Sequence, residues 1–146
     1  MIDLDSLIER TDAIREKYEH YWRDEQAQAE LKAIWGDAIN ANGVFVNAPE
    51  EILYDRDGYK AWITIGTANG LHAFGCGFQT PIEGYGNAPS IWDELFETRS
   101  EARTAAIRFL LERLPEAKHP HEHAQREQVE RMRKAVANEL RQPSLF

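Results

Sequence analysis

Cysteine occurs once in 146 residues, at Cys76, which excludes an intramolecular disulfide framework and a cysteine-rich zinc site. Long apolar runs are missing as well. No stretch approaches the roughly 20 residues needed to cross a bilayer, and the start of the chain lacks the basic-then-apolar layout of a secretory signal. A cytoplasmic protein without membrane contact is expected. Basic charge is scarce: 17 Lys and Arg stand against 25 Asp and Glu, a net charge of −8. The deficit is uneven. Residues 1–58 hold 14 acidic and 6 basic side chains and residues 59–98 hold 4 and 1, but residues 99–146 reverse the sign with 7 and 10. Nucleic-acid affinity is dominated by neutralising phosphates, so an acidic body argues against tight non-specific binding. An acidic front suits docking on a basic protein surface, including one that normally holds DNA.

What is present is enough for one modest core, with 42% hydrophobic and 10% aromatic residues. The chain is organised around Ile52–Phe78, three short apolar runs broken at Asp57-Gly58 and Asn69-Gly70. Both dipeptides tolerate the positive φ of tight hairpin turns, so a three-stranded antiparallel meander is expected. Alternation puts Ile63 and Ile65 on one face of the middle strand and Trp62 and Thr64 on the other. On the third strand His72, Phe74, Cys76 and Phe78 share a face that should meet the core. The opposite face, Leu71, Ala73, Gly75 and Gly77, is flat enough for another backbone to approach, either the protein's own or a second molecule's. His72 and Cys76 stand about 13 Å apart along one strand and do not form a thiol–imidazole pair.

Before the meander, Ser6 and Glu9 read as a capping box opening a helix. Leu4, Leu7, Ile14, Tyr18 and Trp22 make one helical stripe, and Ala27, Leu31, Ile34, Trp35 and Ala38 make another on a different face. Two helices over 4–39, broken near Arg23-Asp24-Glu25, fit best. Asn40–Gly43 stops the second, and Val44-Phe45-Val46 offers a short extra strand. After the meander, residues 80–97 form a long Gly- and Pro-containing loop, a frequent place for function. It carries Tyr85 and Trp92, its residues for contacting a partner, together with Glu83, Asp93 and Glu94. These match no acid–base or metal spacing, so no catalytic residue and no cofactor is expected.

Thr98 with Glu101 is a second capping box, followed by a helix over 99–114 with Ala102, Ala105, Ala106, Phe109, Leu110 and Leu114 on its apolar face. The arrangement is α+β. Its β-β-β-α portion, with the alanine-rich stretch SEARTAAIRFLL, resembles double-stranded-RNA-binding domains and several small DNA-binding domains. The resemblance implies an alternative in which Arg99 and Arg103, with Arg131 and Lys134 of the last helix, contact phosphates. That family uses a lysine-rich helix start, which is absent here.

His119, His121 and His123 alternate in the connection before the last helix and are weak metal candidates; no second ligand shell is signalled around them. The last helix, 122–141, carries a narrow stripe of Val129, Met132, Val136 and Leu140 among basic residues. The expected plan is one domain over 1–141 and a tail peptide, 142–146. That tail, Gln142-Pro143-Ser144-Leu145-Phe146, resembles the pentapeptide by which bacterial replication and repair proteins dock on the ring-shaped sliding clamp. Gln142, Ser144, Leu145 and Phe146 match the pattern, and Pro143 stands where Leu is preferred. The resemblance implies a protein partner, with Leu145 and Phe146 entering an apolar pocket and the Gln142 amide giving directional hydrogen bonds. It places the chain in bacterial, phage or mobile-element DNA metabolism, as a non-enzymatic interaction protein. The other reading packs Leu145 and Phe146 on the protein's own surface. Oligomeric state is open.

Overall fold

The two hairpin dipeptides turn the chain as their composition predicts. Asp57, Gly58, Asn69 and Gly70 all have positive φ, at 53°, 87°, 55° and 72°, the left-handed pair that a type I′ turn requires. In this computed structural model, which describes residues 3–114 and 123–140, they connect β1 (Glu50–Arg56), β2 (Tyr59–Ala68) and β3 (Leu71–Gln79). β2 and β3 pair without interruption from Lys60↔Gln79 to Ala68↔Leu71. The β1 register shifts between Ile52 and Tyr54, so Ile52 and Tyr54 face opposite sides of the sheet.

Four antiparallel strands in the order β1-β2-β3-β4 replace the expected three. The fourth, β4 (Gly84–Gly86), lies inside the segment read as loop 80–97 and pairs with Gly77–Gln79 of β3. A turn too compact to be read as a hairpin makes this possible. The Thr80 N–H donates to the Glu83 carbonyl at 2.8 Å, and its hydroxyl accepts from the N–H groups of Ile82 and Glu83 at 3.3 and 3.0 Å. The chain thus reverses within four residues.

α1 (Leu4–Lys17) starts from Asp3, with no side-chain cap. The box expected at Ser6 and Glu9 does not cap it, because the helix begins two residues earlier and Ser6 falls inside the first turn. The chain then breaks as expected. A 3₁₀ turn at Tyr21–Arg23 leads to Asp24, whose carboxylate accepts from the N–H groups of Gln26 and Ala27 at 2.9 and 3.0 Å and opens α2 (Glu25–Trp35). The Trp35 indole donates to Thr11 Oγ1 at 3.1 Å, and that hydroxyl donates back to the Leu7 carbonyl at 2.7 Å, joining the two helices. Val44–Val46 makes isolated bridges, Ile39↔Phe45 and Val44↔Ser90, rather than a strand.

α3 (Arg99–Arg113) opens on Thr98, whose hydroxyl accepts from the Glu101 N–H at 3.1 Å. α4 (His123–Asn138) is the last helix. The bulky face of the sheet, Ala61, Ile63, Cys76 and Phe78, packs on Ala106, Ile107 and Leu110 of α3 and Val129, Met132 and Val136 of α4. Most of the Ala/Gly face, from Leu71 to Gly75, is covered by the chain itself. Leu71 and Ala73 join α1, α2, Phe45, Ile91 and Leu95 in a second core. Phe45 lies where a side chain on Gly66 would stand, and Asn87 and Pro89 cover Gly75. The sheet is therefore the middle of three layers. No helix among the described residues is long and apolar enough to cross a membrane.

Candidate interaction surfaces

Tyr85 and Trp92, expected on one loop surface, belong to different layers. Tyr85 sits on β4 with its ring stacked on Phe78, centroids 6.4 Å apart, and the Arg113 guanidinium 5.2 Å above it. Trp92 lies with the N-terminal helices. Its indole N–H donates to the Asn42 carbonyl at 2.8 Å, Tyr21 meets its ring edge-on at 4.9 Å, and Arg15 lies 4.7 Å over it. The segment from Tyr85 to Phe96 covers the outer edge of β3: Asn87 exchanges hydrogen bonds with the Cys76 backbone, and Phe96 pairs with His72. An open strand edge is a template for unwanted pairing, and this loop closes it.

The four arginine and lysine candidates also divide. Arg103 grips Glu51 through Nε and Nη2, at 3.1 Å to Oε1 and 2.7 Å to Oε2, and reaches Glu139 at 2.8 Å. That network ties α3 to β1 and α4. Hydrogen bonding from Arg103 outweighs the cost of burial and holds the Glu51 carboxyl below its ordinary range. Arg99 is exposed, 3.9 Å from Glu51. Arg131 and Lys134 are exposed on α4. Arg133 between them donates to the carbonyls of Leu111 and Leu114, both at 3.2 Å, and so caps the end of α3.

Burial pushes the Cys76 thiol up to about 11, so it stays protonated and unreactive near neutral pH. His72 bonds to Thr67 Oγ1 at 2.8 Å, and its pKa is lowered by burial and then by Arg99. His123 is the first residue of α4. His119 and His121 lie outside the described residues, as does the tail with Gln142, Leu145 and Phe146. Among the described residues no group of three or more His, Cys, Asp or Glu is placed to hold a metal ion.

Among the described residues, two open places combine apolar surface with flanking charges. The first is a shelf on the sheet, where Ile52, Trp62, Gly77 and Gly86 form one row across β1 to β4. The Trp62 indole lies across Gly77, filling the space a side chain there would need, and comes within 3.9 Å of a Cβ on Gly86. Lys60 stands 5.1 Å from the ring and 3.2 Å from Glu50, and Ile52 is 44% exposed. The second is a groove of about 310 Å³ between α1 and α2, floored by Ile14 and Ile34 and edged by Ala13 and Ala33, with Arg10 and Glu30 on its walls. Sequence reasoning found Trp62 and the bare glycine face, but not the groove. Ala13 and Ala33 carry no periodic signal that marks them as facing each other. No family model, curated protein or solved structure matches this chain.

Proposed function

We propose that this chain is a small acidic protein that works by protein–protein contact in bacterial, phage or mobile-element DNA metabolism, with Gln142-Pro143-Ser144-Leu145-Phe146 as its docking peptide for the sliding clamp. The observation that carries this reading is the match of Gln142, Ser144, Leu145 and Phe146 to the clamp-binding pattern. The body is compatible with it. Glu139 is held at the surface by Arg103, and Leu140 is exposed, so the last described residues of the chain lie outside both cores. An apolar Leu-Phe pair entering a pocket is the kind of anchor that dominates small interfaces, and Pro143 reduces the conformational freedom lost on docking. The acidic front would engage a second, basic surface. An inhibitor in which this front stands in for DNA phosphates is one form of the same reading.

The test is binding of the purified protein to a bacterial sliding clamp, with and without residues 142–146. Micromolar or tighter binding that disappears in Leu145→Ala/Phe146→Ala supports the reading. No binding, or binding that the double variant leaves unchanged, overturns it. The nucleic-acid alternative keeps Arg99, Arg131 and Lys134 as exposed cations, but Arg103 and Arg133 already serve internal partners. A steep loss of DNA or RNA affinity with rising salt would favour it.

A further inference from the structure

The shelf on the sheet lies within reach of the chain's own last residues. Ile52, Trp62, Gly77 and Gly86 stand opposite one another on successive strands, on the face turned away from α3 and α4. Ile52 is exposed and the Trp62 indole half-buried. Along the strands the patch is bounded at one end, where the Asn87 carbonyl and Pro89 lie over Gly75. The Lys60–Glu50 pair beside the indole is partly exposed on both sides, and such a pair swings aside at little cost. A segment laid on the shelf enters across the strands, from an edge of the sheet.

The β1 edge is where the chain arrives. α4 runs along β1 on the opposite face: Gln128 bonds the Tyr54 hydroxyl and Asp57, and Glu139, just past the helix end, shares the Arg103 guanidinium with Glu51. Glu51 immediately precedes Ile52. The described chain thus stops at the exposed Leu140 beside the first residues of β1, which has a neighbouring strand on one side only among the described residues. The residues from 141 to 146 span about 20 Å when extended. Rounding the edge to the far face takes on the order of 15 Å, the width of a helix plus one strand spacing. Leu145 and Phe146 can therefore reach Ile52 and Trp62. The intervening Pro143 has no N–H to leave unpaired, which suits a sheet edge. A tethered segment also acts at an effective concentration on the order of millimolar, which an untethered partner rarely reaches.

We propose that residues 142–146 seat on this shelf of their own chain, turning round the β1 edge to place Leu145 and Phe146 against Ile52 and Trp62. This goes beyond the proposed function and holds or fails whether or not a clamp takes the same peptide. A seat made by two side chains is shallow. It opens readily and leaves the peptide available to a partner.

A nitroxide on Ser144→Cys tests the placement, because the native Cys76 is buried and its thiol stays protonated. In nuclear magnetic resonance spectra of the full chain, the label should broaden the Trp62 indole and the Ile52 and Gly77 amide signals. Adding Leu145→Ala/Phe146→Ala should remove most of that broadening, and about fivefold dilution should leave it unchanged, as an intramolecular contact requires. Broadening that survives the loss of both apolar residues overturns the proposal, as does broadening that fades on dilution, the mark of a neighbouring copy's tail. The unlabelled chain supplies a second readout. Leu145→Ala/Phe146→Ala should shift the Trp62 indole signal, identified by its loss in Trp62→Phe, and leave that of the buried Trp35 in place. A Trp62 signal that does not move overturns the proposal, whatever the label shows.

Discussion

The two layers that sandwich the sheet differ in how completely their polar groups are met. On the C-terminal side, Arg103 joins Glu51 and Glu139, Arg133 closes the end of α3, and Gln128 links the Tyr54 hydroxyl to Asp57. Beneath these contacts Val129, Met132 and Val136 are fully enclosed. The N-terminal side has its own lock in Thr11 and Trp35, but among the described residues the enclosed side-chain atoms left without a partner, His20 Nδ1, Glu30 Oε2 and Thr64 Oγ1, belong to it or to the sheet face it covers. An unmet buried polar group costs free energy that a ligand or partner can return. The C-terminal layer is closed on itself.

The comparison breaks most readily in the C-terminal core. Met132 is 0% exposed between α4 and the sheet, so Met132→Ala should cost about 3 kcal/mol, within the range for large-to-small core changes. Ala13→Ser, on the exposed lip of the groove, should stay within about 0.5 kcal/mol. Urea denaturation of the two variants measures both. Near-equal losses would mean that the two sides are equally closed.

A smaller effect is expected from the ion-pair network. Arg103→Gln leaves Glu51 and Glu139 without their shared cation, with the exposed Arg99 still 3.9 Å from Glu51. Because Glu51 is 34% exposed, solvent screening reduces the loss to roughly 1–2 kcal/mol. The folded state holds Glu51 below its ordinary pKa of 4.5. Its contribution is therefore complete above that value and is lost as pH falls through the lower folded one. The stability gap between wild type and Arg103→Gln should narrow below pH 4.5, measured by denaturation at pH 7 and at successively lower pH. A gap independent of pH would show that Arg103 acts through packing alone.

Turn chemistry and periodicity made much of this fold legible. Asp57-Gly58 and Asn69-Gly70 fixed the hairpins because few other dipeptides accept two positive φ angles. Alternation then told which face of β3 meets α3 and α4. Features without a local signature were not legible. β4 is three residues long, two of them glycine, and exists only because β3 offers an edge. Tyr85 and Trp92 are seven residues apart in sequence and end in separate layers, since the strand and loop between them wrap around that edge. Arg103 reads as a surface cation on a helix, because nothing near it in sequence announces Glu51 or Glu139. The groove depends on the rotation of two helices about their own axes, which stripes of large apolar residues specify only to within a residue.

The helix starts give the finest contrast, since one sequence pattern succeeded in one layer and failed in the other. At Thr98 the hydroxyl meets the Glu101 N–H at 3.1 Å and the Glu101 carboxylate at 2.9 Å. Thr98→Ala should therefore cost about 1 kcal/mol. Ser6 has the same partner three residues on, but it lies inside α1, whose chain enters the helix at Asp3. There a serine hydroxyl competes with the helix, and alanine is the better helix former by about 0.5 kcal/mol. Ser6→Ala should leave stability unchanged or raise it by a few tenths, the opposite sign to Thr98→Ala. Thermal melts of the two variants decide the point. A loss at Ser6 equal to that at Thr98 would mean that α1 starts at the serine after all, and that the N-terminal hairpin is shorter at its free end.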